Sequence, residues 1–357
     1  MKGLITAGGR GTRLRPITFT INKHTIPIAN KPMILYPLES MVKIGIKEIG
    51  VIVNETKPEI EAILGNGGRW GVKIKYIFQE QPLGLAHCLK ISQDFLKKDK
   101  FIFYLGDNIF TGDLASIAKK FIKSNDSCHL LLVEVDDPSR FGQAIVKNGR
   151  VIKTVEKPPK PISKWAIAGI YFLDHHCFES FKGREAIKPS ARGELEIPDV
   201  FQYLIDHKFR VTAENVTGWW KDTGRMEDLL EANRLILDAF NGRKILGKSI
   251  NSTFIGDVKV GKKSLIKNSI IRGPVVIGEK VIIKDSYIGP YTSVYHSCLI
   301  ENSEVENSIL LENAAIKNIT RRIDSSLIGK ESIVQTNSQK PKILKFLIGD
   351  SSLVSLD

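Results

Sequence analysis

Branched and aromatic residues recur with a fixed beat through the last third of this 357-residue chain, at Phe254, Val260, Ile266, Ile271, Ile277, Ile283, Ile288, Val294, Ile300 and Val305. The steps between them run 6, 6, 5, 6, 6, 5, 6, 6, 5. Ile277-Gly278 and Ile288-Gly289 are the aliphatic–glycine pairs typical of hexapeptide repeats. Three short strands per turn, each with one inward aliphatic, make a triangular parallel β-helix. The five-residue steps coincide with Asn268-Ser269, Asp285-Ser286 and Asn302-Ser303, which predicts one tightened corner per coil. The beat slips beyond Leu311 and partly returns at Ile323, Ile328 and Val334. An ordinary β-sandwich of short strands has no reason to keep such a period.

Before about residue 240 the pattern differs. Strand-like runs at 2–7, 48–53, 72–78, 101–105 and 129–135 alternate with helical stretches. Pro32 and Gly45 fit the start and end of one helix, and Thr56, Pro58 and Gly65 those of another. Residues 225–240 place Leu229, Leu230, Ala232, Leu235, Ile236 and Ala239 on an amphipathic helix that Asn241-Gly242 ends. Alternating β and α units predict an α/β fold: a Rossmann-like, mixed but mostly parallel sheet in residues 1–242. The β-helix then takes residues 243–357.

The net charge of +13 divides almost evenly at residue 240, so it does not form a basic arm. Dispersed lysines fit a solvated surface and an anionic small substrate rather than nucleic acid. Cys88, Cys128, Cys177 and Cys298 are scattered without a C-x-x-C, as expected of reduced thiols in a cytoplasmic protein. No signal peptide or membrane-spanning run stands out, so a soluble protein is expected.

Chemistry is suggested first by MKGLITAGGRGTR, where a buried strand breaks into Gly8, Gly9 and Gly11, followed by Thr12, Arg13 and Arg15. Such glycines let backbone N–H groups approach an anion, and the arginines supply charge for phosphate. Neither the P-loop nor the dinucleotide fingerprint fits, because Leu14 stands where a third glycine is required and no Gly-Lys pair follows.

Asp107, after the apolar run FIFYLG, falls at a strand's carboxyl end and suits Mg²⁺, or it is a turn aspartate. Asp222, in GWWKDTGR, is a second metal-ligand candidate or a helix cap. Glu156 and Lys157 could grip a sugar and a phosphate, or form a surface pair. Gln79 offers a donor and an acceptor to a base edge, with Gly84 exposing backbone nearby, or is a solvated loop residue. Lys23 is a loop lysine, and His24 and His87 lack metal-ligand spacing.

The ordered series AGGRGTRLRP, KHTIPIANKPMI, QEQPLGLA, LGDN, VEKP, RGELEIPD and WWKDTG closely resembles the sugar-1-phosphate nucleotidyltransferases. Within them the chain is most similar to the long-form glucose-1-phosphate thymidylyltransferases, whose catalytic domain is followed by a left-handed β-helix. The likeness runs through the terminal FLIGDSSLVSL. The handedness is implied by this resemblance, not by periodicity.

The resemblance implies that Gly8, Gly9, Gly11 and Thr12 bind the nucleotide phosphates, with Arg13 on the departing pyrophosphate and Lys23 on the triphosphate. Gln79 and Gly84 would read the pyrimidine, and Asp107 and Asp222 would hold Mg²⁺. Gly142, Glu156 and Ile167 would contact the hexose, with Lys157 and Arg192 on its phosphate. His24 stands where many relatives have glutamine, and Phe141 replaces a frequent tyrosine.

The implied reaction joins dTTP, or alternatively UTP, to glucose 1-phosphate in a homo-oligomer. A non-catalytic sugar-nucleotide-binding regulator is a second reading, which the filled positions Arg13, Asp107, Lys157 and Asp222 disfavour. A third gives the β-helix an acyltransferase activity, for which His296 is the only histidine after residue 240.

Overall fold

The computed structural model describes residues 1–9, 11–336 and 349–354. Arg10 of the glycine-rich loop lies outside them, as do parts of the terminal FLIGDSSLVSL. The chain forms two compact units, one of residues 1–9 with 34–222 and one of residues 10–33 with 223 onward.

The first unit is built on a nine-stranded sheet. Its strands are β1 (Lys2–Thr6), β2 (Glu48–Val53), β3 (Lys73–Phe78), β4 (Phe101–Leu105), β6 (Cys128–Glu134), β7 (Gln143–Lys147), β8 (Arg150–Val155), β9 (Trp165–Leu173) and β10 (Val211–Asn215). They lie in the order β3-β2-β1-β4-β9-β6-β10-β8-β7. The run β3-β2-β1-β4 and the pair β6-β10 are parallel. Strand β9 enters antiparallel between β4 and β6, and the β8-β7 edge is antiparallel too, so the sheet is mixed. A separate ribbon pairs β5 (Asn108–Phe110) with β11 (Trp220–Asp222).

Helices cover both faces because successive strand residues point to opposite sides. On one face Leu4, Ile52, Phe101 and Phe103 pack with α3 (Leu85–Ile91) and α5 (Ile197–Asp206). On the other, Ile5, Val51, Ile102 and Tyr104 pack with α1 (Leu35–Ile44), α2 (Lys57–Leu64) and α4 (Leu114–Lys123). Burying one such aliphatic or aromatic side chain stabilises the fold by about 1.5–3 kcal/mol. Helix α2 follows Thr56, carries Pro58 in its first turn and stops at Gly65, as expected. Helix α1 ends at Gly45 but does not begin at Pro32. That proline pairs with Pro27 in a hairpin of Pro27–Ile28 with Lys31–Pro32, so the helix starts only at Leu35.

The second unit contains that hairpin, the helix α6 (Met226–Asp238) and three stacked parallel sheets, the arrangement of the expected β-helix. The first coil strand is Lys244–Ile245, and the last described one is Ile333–Gln335. The residues of the beat point inward: Ile266, Ile283, Ile300 and Ile316 form one fully buried ladder, and Ile271, Ile288 and Val305 another. Ile300 pairs with Ile316 and then Ile316 with Val334, so one coil runs a residue short and the next a residue long. This is the slip in the beat.

The tightened corners have a chemical basis. Asn251, Asn268, Asp285 and Asn302 all adopt left-handed backbone, with φ of 47°, 48°, 48° and 46°. Asn and Asp tolerate that region best among non-glycine residues. The next residue is each time a serine whose hydroxyl donates to the carbonyl two residues back and accepts an N–H from the following coil.

Helix α6 buries the expected Leu229 and Ala232, but the face continues through Asn233 and Leu237 and not through Ala239. Leu229, Ala232, Asn233 and Leu237 are buried, whereas Ala239 is exposed. The spacing is the i, i+3, i+4, i+8 of a core-facing helix, and an asparagine occupies one of its inner positions. All four cysteines are buried free thiols. Among the described residues no helix is long and apolar enough to cross a membrane.

Candidate active site

The two acids singled out as metal ligands are far apart in sequence but not in the first unit. Strand β4 ends at Leu105, Asp107 follows in the turn, and β5 then pairs antiparallel with β11 so that Asp222 lies opposite Asn108. Asp222 is thus paired with the residue that directly follows Asp107.

Asn108 fixes that corner. Its Oδ1 accepts from Trp220 Nε1 at 2.7 Å and from the Gly169 N–H at 3.2 Å, while its Nδ2 donates to Asp107 Oδ1 at 3.0 Å. A side chain on Gly169 would run into the Asn108 amide, so β9 needs glycine there. Burial holds the Tyr171 phenol well above its ordinary range, and the charges of Glu156, Asp107 and Asp222 push it the same way. Three carboxylates therefore act on one buried hydroxyl. Asp107 and Asp222 offer hard carboxylate oxygens of the kind that suit a divalent cation such as Mg²⁺. Asp174, His175 and His176 also bring donor atoms together, but Asp174 there accepts from the His176 N–H and pairs with the same ring.

The residues expected to meet the hexose are brought together around Gly142. A Cβ at that position would lie 3.1 Å from Glu156 Oε2 and 3.7 Å from Ile167 Cδ1, and the Ile167 N–H donates to the Gly142 carbonyl at 2.8 Å. Glu156 Oε1 takes both expected phosphate-binding cations, Lys157 Nζ at 3.2 Å and Arg192 at 3.3 Å. Arg192 is further held by the buried Glu196 at 2.8 Å, which also accepts from Ser190 Oγ. Phe141, where a tyrosine was the commoner expectation, packs edge-on against Trp220 with ring centroids 5.4 Å apart.

Gln79 is buried beside Gly84. Its Nε2 lies 3.4 Å from the Gly84 carbonyl and 3.1 Å from His87 Nδ1. Burial, helped by Lys90, holds His87 below its ordinary value, so its ring is neutral at pH 7 and can accept from the amide. Gly84 has φ 97°, and a Cβ there would strike the Leu195 carbonyl. The same backbone is clasped on both sides, with Leu195 N–H donating to Leu83 O and Ala86 N–H to Leu195 O.

The glycine-rich loop divides between the units. Gly8 and the exposed Gly9 follow the first strand, and Asn54 Nδ2 donates to Gly8 O at 2.8 Å. Gly11, Thr12, Arg13 and Lys23 belong to the second unit. Gly11, at φ 61°, opens a short 3-10 turn of Thr12–Leu14, and a Cβ on it would lie 3.0 Å from Lys23 Cβ. Thr12 and Arg13 are exposed, while Lys23 is buried behind Asn22, whose side chain caps the turn Lys23–Thr25.

The Arg13 guanidinium lies over Gly224, where a Cβ would come within 2.8 Å of Nη2. Only the flexible end of Arg13 would have to yield. Gly224→Ala is therefore expected to leave the melting temperature within about 2 °C, a surface-sized perturbation. Turnover should fall about tenfold or more through displacement of Arg13. Thermal melts beside steady-state rates check both halves.

Asn108, Gly169, Trp220, Glu196 and His87 support the site without having been singled out from sequence. Asn108 and Trp220 stood inside quoted motifs, next to Asp107 and Asp222. Glu196 stood inside RGELEIPD and His87 directly after QEQPLGLA, but a single acid or histidine reads as core until its partner is known.

The family model described as nucleotidyl transferase matches residues 2–239. A glucose-1-phosphate thymidylyltransferase of Streptomyces griseus is 43% identical over 353 residues, 99% of this chain and 98% of its own length. The low-salt glycan biosynthesis nucleotidyltransferase of Haloferax volcanii is 38% identical over the whole of both chains. Among solved structures, one described as a Bacillus anthracis glucose-1-phosphate thymidylyltransferase with a bound sucrose is 37% identical with a TM-score of 0.63. It covers 68% of this chain and 98% of its own.

Proposed function

The chain belongs to the nucleotidyl transferase family, and from that premise we propose that it transfers thymidylate from dTTP to glucose 1-phosphate, yielding dTDP-glucose and pyrophosphate. The observation that supports this most is the ribbon that sets Asp222 opposite Asn108, beside Asp107. Two phosphorylated substrates repel each other, and the reaction needs that repulsion neutralised more than it needs a new nucleophile. A sugar phosphate oxygen is already nucleophilic.

Asp107 and Asp222 are the residues that would hold Mg²⁺. When bound, that ion supplies Lewis-acid charge at the phosphates. Backbone at Gly8, Gly9, Gly11 and Thr12 cradles the triphosphate, Lys23 adds positive charge, and Arg13 stabilises the departing pyrophosphate. Gln79 presents its Oε1 to the N3–H of the pyrimidine, because its amide nitrogen is turned to Gly84 and His87. Gly142 leaves room for the hexose, Glu156 accepts from its hydroxyls, Ile167 packs on the ring, and Lys157 and Arg192 take its phosphate.

Transfer is direct. Burial pushes the Cys88 thiol up to about 12 and the Cys298 thiol up to about 11, and holds Cys128 and Cys177 well above their ordinary range. Burial thus disfavours the thiolate that a covalent route through cysteine would need.

The second reading is UTP in place of dTTP. Thymine and uracil differ by one methyl and share the edge read by Gln79, and a methyl in an apolar pocket discriminates by only about 1–3 kcal/mol. An acyltransferase role for the β-helix is disfavoured by His296, whose Nδ1 accepts from the Glu279 N–H at 2.9 Å. The protein acts in the cytoplasm as a homo-oligomer. Four free buried thiols support the first statement, and an outward apolar column of Leu265, Ile282, Leu299, Ala315 and Ile333 on one β-helix face supports the second.

With glucose 1-phosphate and Mg²⁺ present, the expected result is dTDP-glucose and pyrophosphate in equal amounts. UTP should be used with kcat/KM between parity and about 200-fold lower. Activity should vanish in excess chelator. Failure to form dTDP-glucose from dTTP at any metal concentration overturns the proposal.

A further inference from the structure

We propose that the β-helix is a working part of nucleotide turnover, and that Asn233 is a positioning residue through which it holds the segment carrying Arg13 and Lys23. The inference rests on the assignment of that segment to the triphosphate.

Residues 11–33 group by compactness with the coils and not with the sheet. The segment ends in the hairpin of Pro27–Ile28 with Lys31–Pro32, whose two turn residues, Ala29 and Asn30, have φ of 47° and 59°. Left-handed backbone at both central positions is the tight hairpin turn that matches strand twist.

Asn233 meets the turn from helix α6. It is 1% exposed, and its Oδ1 accepts from the Ala29 N–H at 2.9 Å and from Ser293 Oγ of the coil at 2.6 Å. Its Nδ2 donates to the Tyr291 carbonyl, also in the coil, at 2.9 Å. One buried amide therefore joins hairpin, helix and coil.

A second bond runs parallel to it. Asn30 Nδ2 donates to the Val294 carbonyl at 2.7 Å. Ala29, Leu237 and Val276 close an apolar cluster around these bonds. Further back on the same segment, Ile17 Cδ1 lies 3.5 Å from where a Cβ on Gly329 would stand, so the segment also meets a late coil. Gly11 and Lys23 touch one another, so the segment is packed internally as well as at its tip.

Polar groups that satisfy one another inside a packed interface specify a single arrangement, because any slip leaves several unpaired at once. For a segment that places two cations on a triphosphate, the consequence is kinetic. Misplacement of about 1 Å costs on the order of 100-fold in rate.

The test is steady-state kinetics on the full-length protein. Asn233→Ala removes the joint. Asn30→Gly keeps the left-handed turn, which glycine adopts freely, and removes only the bond to the coil. Asn233→Asp keeps the acceptor for Ala29 and Ser293.

For Asn233→Ala the expected result is a fall of about 10- to 100-fold in kcat/KM for dTTP, with the KM for glucose 1-phosphate within twofold of the parent. Asn30→Gly should give about a threefold to tenfold fall in the same parameter, and Asn233→Asp, which keeps the acceptor but sets an oxygen against the Tyr291 carbonyl, should recover only part of the loss. A merely structural asparagine would lower kcat in step with the folded fraction and leave both KM values alone. That pattern, or unchanged dTTP kinetics in both Asn233→Ala and Asn30→Gly, overturns the proposal. Lys23→Ala is measured alongside. If it is impaired while those two variants are normal, the triphosphate assignment survives and only the coupling falls. If Lys23→Ala is fully active, the assignment fails first and the proposal goes with it.

Discussion

Asp107→Asn is expected to lower kcat by about 10²- to 10³-fold, the scale on which losing one preorganised electrostatic contact to a transition state is felt. The substitution is nearly isosteric, and its remaining oxygen can still accept from Asn108 Nδ2. What is lost is one negative charge on the ribbon, and with it a hard ligand for the divalent cation. The Mg²⁺ concentration for half-maximal rate should rise, and the melting temperature should change little. Near-normal turnover of Asp107→Asn with Mg²⁺ would remove Asp107 from the metal site.

Gly84→Ala should be the most damaging single methyl in the nucleotide-reading loop. The backbone at φ 97° costs a non-glycine residue about 1–3 kcal/mol. The added carbon also strikes the Leu195 carbonyl, which is committed to the Ala86 N–H. Overpacking adds about 1–3 kcal/mol more. Whatever relieves the clash must move the Gly84 carbonyl or the 194–195 segment, and the Gln79 amide is turned to that carbonyl. The expected result is a lowered melting temperature together with a KM for dTTP raised about tenfold or more, and a smaller change for glucose 1-phosphate. Unchanged dTTP kinetics in a destabilised variant would detach Gly84 from base reading.

Much of this was legible in the sequence because it is periodic or local. The β-helix beat is a direct projection of inward positions, so the sequence alone places Ile266, Ile283 and Ile300. The Asn-Ser and Asp-Ser corners were visible as five-residue steps, although their reason, left-handed backbone followed by a shared hydroxyl ladder, needed the coils in register. The start of α1 is not legible, because a proline that fits a helix's first turn fits the end of a short hairpin strand equally well.

Helix α6 shows a different limit. Counting only apolar residues favoured Leu235 and Ala239, whereas the buried face runs through the polar Asn233, whose three partners lie on a distant hairpin and coil. Long-range polar joints of this kind leave no local pattern. The pairing of Asp107 with Asp222 was anticipated only as two acids at strand ends. The antiparallel ribbon that pairs Asp222 with Asn108, the residue after Asp107, depends on tertiary pairing across more than a hundred residues.

The most direct test of the mechanism is the stereochemical course at phosphorus, using dTTP made chiral at the α-phosphate by sulfur substitution. Direct in-line attack by glucose 1-phosphate, with Asp107, Asp222, Arg13 and Lys23 serving only to neutralise and align, predicts inversion in the dTDP-glucose product. Retention would require a covalent nucleotidyl-enzyme intermediate, and would contradict the account.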